Sequence, residues 1–218
     1  FRGISGRQFI AVLASQAHKS CAAQGDIISS KCAGMLEFAI EMAKEAGIII
    51  MQHFGRISIV EKKSSEIDLV TIADTQSEAF IIEQIKTNYS QHQIIAEESN
   101  LTQGSSDYRW VIDPLDGTTN FVHNLPIFAV SIGLQYNKET ILGVVYNPAA
   151  DKCFYAEKNG GAFLNGKSIH ITSTNTLGES LLVTGFPYVH DDKWGKGFDL
   201  FRELYGKTQG IRRLGAAA

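Results

Sequence analysis

The sequence predicts a layered α+β sandwich that passes toward α/β at its C-terminal end. Three observations carry this. Helical patterns dominate the first part of the folded chain, short strand patterns follow one another from residue 127 to 171, and a strand followed by a helix forms the tail.

Residues 1–33 read as an N-terminal extension, disordered or transit-like. Within 1–31, Arg2, Arg7, Lys19 and Lys31 stand against one acid, Asp26, in an Ala-, Ser- and Gln-rich stretch without a clear period. Folded structure is expected from Gly34. In MLEFAIEMAKEAGIIIMQHFG, apolar residues recur at Leu36, Ile40, Ala43, Ile50 and Phe54, a helical stripe with Gly55 as its stop. The polar loop EKKSSEID precedes a short apolar run, Leu69–Ala73. Thr75 and Glu78 have capping-box spacing and predict the start of the helix EAFIIEQIKTNY. Ile94–Ala96 reads as a buried strand running into Glu97 and Glu98. Residues 101–109 read as a loop, and Trp110–Asp113 as a second short strand ending in acid. FAVSIGLQY and TILGVVY flank a hairpin signal at Asn137, Lys138 and Glu139. CFYAE, AFLNG, SIHIT and SLLVTGF continue the strands, and WGKGFDLFRELYGK returns to helix.

Composition narrows the function classes. A net charge of -3 over 218 residues does not favour nucleic acid as a partner. No apolar run approaches the length of a membrane span. Cys21, Cys32 and Cys153 are an odd number without CxxC spacing, so each reads as a small buried hydrophobe in a reducing compartment. A cytoplasmic location is expected, or an organelle matrix if residues 1–31 are a transit remnant.

Five acids stand at the ends of predicted elements: Asp68, Asp74, Glu97, Asp113 and Asp116. Glu97 and Asp113 each follow a short apolar strand, and neighbouring strands would converge them. Convergent carboxylates repel unless a cation lies between them. A hard divalent ion with oxygen ligands is the usual solution, and Mg²⁺ uses few carboxylates together with water and substrate phosphate. Pro114 stiffens the turn, so Asp113 and Asp116 can face one centre, and the Leu115 carbonyl can also ligate. Gly117 permits close backbone approach, and a helix starting there would offer free N–H groups to an anion. The run D-P-x-D-G also reads as a plain turn with an Asp cap.

DPLDGTTNF, preceded by AEES and followed by LPIFAVSIGL, resembles the inositol monophosphatase family. KSSEIDLVTIAD, GVVYNP, GGAFLNGK and ESLLVTGFP extend the resemblance from about Lys63 to Ala218. It implies the sugar-phosphatase layered sandwich. Residues 34–173 would form the α+β metal- and phosphate-binding domain, and 174–218 the start of a C-terminal α/β domain. It implies two or three Mg²⁺ ions, a first held by Glu97, Asp113 and the Leu115 carbonyl, a second shared by Asp113 and Asp116. Thr118 with Glu97 would orient the attacking water, supported by Asp74. Gly117 and Thr118 would offer amides to the phosphate. Lys63 would lie on a loop near the metals, with Asp68 fixing that loop. Glu98 reads as structural. The implied reaction is in-line attack of a metal-activated water on a small phosphorylated polyol, without a phosphoenzyme. The implied assembly of the full-length form is a homodimer, and Li⁺ sensitivity is a further expectation. Inositol monophosphate is the first candidate substrate. Histidinol phosphate, fructose bisphosphate and a nucleotide 3′-phosphate are alternatives, and a non-catalytic binding or scaffold protein is an alternative of another class.

Other signals weigh less. GAFLNGKS, Gly161–Ser168, fits a Walker A pattern, but SIHIT after it alternates like a strand and Asn165–Gly166 is a hairpin turn. His123 reads as a capping or packing residue, and Trp110, Phe121 and Phe128 as core. Tyr188, His190, Asp191 and Asp192 read as a solvated loop that could reach substrate. The family's last metal ligand, an Asp in a W-D-x-A segment, has no counterpart up to Ala218. The C-terminal part is therefore expected to be incomplete, with Ala217 the contact on the substrate wall that Gly215–Ala217 begin.

Overall fold

A 28-residue helix, α1 (Asp26–His53), opens the described structure. The computed structural model describes residues 26–56, 59–62, 69–99, 104–186 and 192–216. The helix begins eight residues before the expected start at Gly34, because IISSKCA contains no proline or glycine to break it. Its core face is also rotated from the expected stripe. Met35, Ala39, Met42, Ala43, Ala46 and Ile50 are buried, whereas Leu36, Ile40 and Phe54 are only partly so. The small residues explain this: they let the helix lie close to the sheet. A Cβ at Gly47 would stand 2.7 Å from a ring carbon of Tyr146. Gly55 stops the helix with a φ of 80°, as expected.

Strands β1 (Ile59–Lys62) and β2 (Leu69–Thr71) pair antiparallel and lead into α2 (Ile72–Asn88). The helix starts earlier than the Thr75–Glu78 spacing predicts. Thr71 is the N-cap, and Asp74 at N3 closes the capping box by accepting from the Thr71 backbone N–H. β3 (Gln93–Ala96) then runs parallel to β4 (Tyr108–Asp116). A short helix, α3 (Thr118–Val122), separates β4 from an antiparallel meander. The meander comprises β5 (Ala129–Tyr136), β6 (Glu139–Asn147), β7 (Lys152–Glu157), β8 (Gly161–Leu164) and β9 (Lys167–Ile169). The sheet order is β3-β4-β5-β6-β7-β8-β9. Asn137 and Lys138 turn the β5–β6 hairpin with φ of 50° and 67°, both left-handed, as a tight two-residue hairpin requires. Asn165–Gly166 turn β8 into β9 the same way, so the Walker-like run is a hairpin.

Both long helices pack on this sheet. Between them and the sheet lie Trp110, Ile112, Val130, Ile132, Leu134, Leu142 and Val144, all buried. Phe121 and Phe128 are core residues, as expected, and Cys153 is buried, which pushes its thiol pKa up. Beyond a 3-10 turn at Leu177–Glu179, β10 (Leu181–Val183) and β11 (Gly210–Arg212) pair in parallel across α4 (Asp192–Tyr205). This is a β-α-β unit, the α/β character expected of the tail. No described helix is long and apolar enough to cross a membrane.

At one end of the core, the His92 ring stacks between Tyr89 at 4.9 Å and Tyr108 at 4.7 Å. The Trp110 indole N–H donates to His92 Nδ1 at 3.1 Å, which places the His92 proton on Nε2. Burial lowers the His92 pKa from its usual 6.5. Neutral His92 is therefore favoured by the fold, so its contribution is complete above about pH 6.5 and is lost as pH falls from there toward its folded value. The urea midpoint is expected to fall between pH 7.5 and 5.5, and His92→Phe should flatten that part of the profile. An unchanged slope in the variant would refute the assignment.

Candidate active site

The parallel register of β3 and β4 brings the acids together at one sheet edge. Ala96 lies opposite Ile112, so the next residue on each strand, Glu97 and Asp113, leaves the paired segment at the same end. The β4–β5 ladder then does what a regular strand could not. Asp113 pairs with Ser131 and Asp116 with Ala129, with a bulge between. Three steps along β4 match two along β5, and Ser131 and Ala129 share a face. Asp113 and Asp116 therefore share a face too, although three residues apart they would normally point to opposite sides. Pro114 and Leu115, both buried, form the bulge.

Asp74 is buried, with 1% of its surface exposed, and both its oxygens are engaged. Its Oδ2 accepts from the Thr71 N–H at 2.8 Å and the Thr71 hydroxyl at 2.6 Å. Its Oδ1 lies 3.0 Å from the Thr118 hydroxyl, which is also 3.0 Å from the Leu115 carbonyl oxygen. A hydroxyl carries one hydrogen. With that hydrogen committed to these acceptors, Thr118 can meet a further group only as an acceptor, for instance of a water proton.

Gly117 caps α3 with a φ of 94°, a left-handed conformation suited to glycine. A Cβ there would meet the Ile127 carbonyl oxygen at 2.9 Å and Ala216 Cβ at 3.0 Å. The tail thus reaches the loop that follows the acids. Asn120, buried, ties it there: its Nδ2 donates to the Ile127 and Leu214 carbonyls, each at 2.7 Å. Glu78, also buried, accepts from the N–H groups of Glu98 (2.8 Å) and Ser99 (2.9 Å).

Glu97, Asp113, Leu115, Asp116, Gly117, Thr118 and Asp74 thus gather around one strand end. The backbone N–H of Glu98 is held by Glu78. His123 is the exposed residue that closes α3. Lys63, Asp68, Ala217, Tyr188, His190 and Asp191 lie outside the described residues. Among the described residues, no three His, Cys, Asp or Glu side chains stand close enough to form a metal cage by themselves. A hard cation does not need one. Mg²⁺ takes one or two carboxylates and fills its octahedron with water and substrate oxygens, and the donors here are all oxygen. Sequence reading missed Glu78 and Asn120 as members of the site. Glu78 was visible as an acid at helical spacing from Asp74; Asn120 carried no local signal.

A model described as the inositol monophosphatase family matches residues 32–218. Over 193 residues the chain is 42% identical to the chloroplastic phosphatase IMPL1 of Arabidopsis thaliana, covering 85% of this chain and 52% of that one. It is 44% identical over 184 residues to an inositol-1-monophosphatase of Synechocystis sp., covering 84% and 64%. The crystal structure of the extragenic suppressor protein suhB from Bartonella henselae aligns with a TM-score of 0.80 at 32% identity, covering 85% of this chain and 72% of that one. The chain spans 52% and 64% of the length of these two curated relatives.

Proposed function

This chain belongs to the inositol monophosphatase family, and we propose that it carries the catalytic strands of a Mg²⁺-dependent phosphatase that hydrolyses a small phosphate monoester, inositol monophosphate first among them. The observation that carries the reading is the Thr118 hydroxyl, fixed by Asp74 and the Leu115 carbonyl as an acceptor at the end of the acid-bearing strands. Glu97, Asp113 and the Leu115 carbonyl would hold a first Mg²⁺, and Asp113 with Asp116 a second. Such ions, when bound, lower the pKa of water, neutralise phosphoryl oxygens and stabilise a leaving alkoxide. Thr118 accepts one proton of the attacking water, and Glu97 accepts or removes the other. Together they set the line of attack on phosphorus. Asp74 keeps the Thr118 hydrogen turned away from that water. Gly117 and Thr118 present backbone N–H groups to the phosphate, with no side chain at Gly117 to obstruct it. Ala217 would stand on the substrate wall and Lys63 on the loop near the metals. An aqueous compartment suits this chemistry, cytoplasm or organelle matrix.

Phosphate release from inositol 1-phosphate with Mg²⁺ tests this, run on this chain and on a C-terminally extended form. Fructose bisphosphate, histidinol phosphate and a nucleoside 3′-phosphate serve as competing substrates. Mg²⁺-dependent release, fastest with inositol 1-phosphate, is expected from the extended form. A folded extended form inert on the whole panel would sink the enzymatic reading in favour of a binding role.

A further inference from the structure

We propose that Glu78 is a positioning residue, one whose buried carboxylate sets where Glu97 stands relative to Thr118. The inference rests on the reading of Glu97 and Thr118 as the pair that orients the water. Asp74 and Glu78 are four residues apart on α2, so they project from one face of a rigid helix, one turn apart. Their exposures are 1% and 4%. Asp74 reaches the Thr118 hydroxyl, and Glu78 reaches the backbone of Glu98 and Ser99. One helix face therefore holds both halves of the pair. It grips Thr118 directly, and it grips Glu97 through the peptide bond that joins Glu97 to Glu98.

The chemistry of the grip is specific to a carboxylate. Each Glu78 oxygen accepts one backbone N–H, at 2.8 and 2.9 Å. Such charge-assisted bonds are short and directional. Glu97 itself is exposed, at the start of the turn that follows β3. Its position depends on a turn whose described anchors include these two bonds. Glutamine at 78 would keep one acceptor and turn an N–H₂ toward a backbone N–H, donor against donor. Shell residues that orient metal ligands typically contribute about 10–100-fold to metal affinity or activity.

The test is Mg²⁺ binding by calorimetry on this chain, with kinetics on the C-terminally extended form. Glu78→Gln is expected to weaken Mg²⁺ binding by about tenfold or more and to lower kcat by about 10–100-fold, with KM for substrate little changed. Glu83→Gln, exposed on the same helix, should leave both at the wild-type value. If Glu78→Gln does not fold, Glu78→Asp keeps the charge but shortens the reach, and about a tenfold loss of kcat is expected with KM unchanged. A folded Glu78→Gln or Glu78→Asp variant with the wild-type isotherm and kcat overturns the inference. Glu97→Ala separates the two levels. If it abolishes binding while Glu78→Gln does not, only the positioning role fails. If Glu97→Ala also binds Mg²⁺ like the wild type, the metal reading fails with it.

Discussion

Asp113→Asn is expected to lower kcat/KM for a phosphate monoester on the order of a thousandfold or more, while the protein stays folded. Asparagine has the shape of aspartate and can keep its place opposite Ser131 in the β4–β5 ladder. What it loses is the charge. Asp113 is the one carboxylate proposed to touch both ions, being next to Glu97 by strand register and on the same face as Asp116 by the bulge. Lewis-acid stabilisation at a phosphoryl group is worth several kcal/mol, and each 1.4 kcal/mol or so is tenfold in rate. Calorimetric Mg²⁺ titration is the direct check, with circular dichroism to confirm the fold. A variant that titrates like the wild type would remove Asp113 from the metal site.

Trp110→Ala should be the most damaging single change to stability. The Trp110 side chain has 0% exposure, lies on β4 in the parallel pair at one edge of the large sheet and packs against Phe38, Tyr89 and His92. Large-to-small core changes of this kind cost about 3–5 kcal/mol, the transfer loss plus the cavity left behind. For a chain of this size that is a fall in Tm of roughly 6–20 °C. Trp110→Phe separates two contributions. It keeps most of the apolar surface but removes the N–H that meets His92 Nδ1, a bond worth about 1 kcal/mol. Thermal melts of the three proteins should therefore rank wild type, Phe, then Ala. An alanine variant melting within 2 °C or so of wild type would contradict the packing described for Trp110.

The elements that rest on local chemistry were legible. The Asn137–Lys138 and Asn165–Gly166 turns need left-handed residues at two positions, and the sequence places Asn, Lys and Gly there. Gly55 ended its helix for the same local reason. The gathering of Glu97 and Asp113 was only half legible. Each acid read as the end of a short strand, although β4 runs on to Asp116, and bringing them together required β3 and β4 to be parallel neighbours, a pairing made across a crossover rather than within a hairpin. The α2 cap was misread because two overlapping runs fit the same rule. Thr75-x-x-Glu78 has the favoured glutamate, whereas Thr71-x-x-Asp74 is the box that forms, one turn earlier. That displacement is what frees Glu78 to hold the turn after β3. The buried face of α1 was misplaced because periodicity weights Leu and Ile, while close approach to Tyr146 selects Ala and Gly. Asn120 was invisible for a different reason: one of its partners is seven residues away and the other ninety-four.

That last separation bears on the order in which the molecule assembles. Most of the large sheet is made of neighbours joined by tight hairpins, whose contacts cost little chain entropy. The Asn120–Leu214 bond instead joins residues 94 positions apart, a separation whose closure in a fully flexible chain would cost on the order of 4 kcal/mol. During synthesis at about 5–20 residues per second, β9 is made roughly 2–9 s before Leu214. Through that interval the Asn120 amide must find its second acceptor in water. The nascent chain thus completes its acid-bearing strands first. Docking of residues 214–216 against Gly117 and Asn120 is the non-local step that follows.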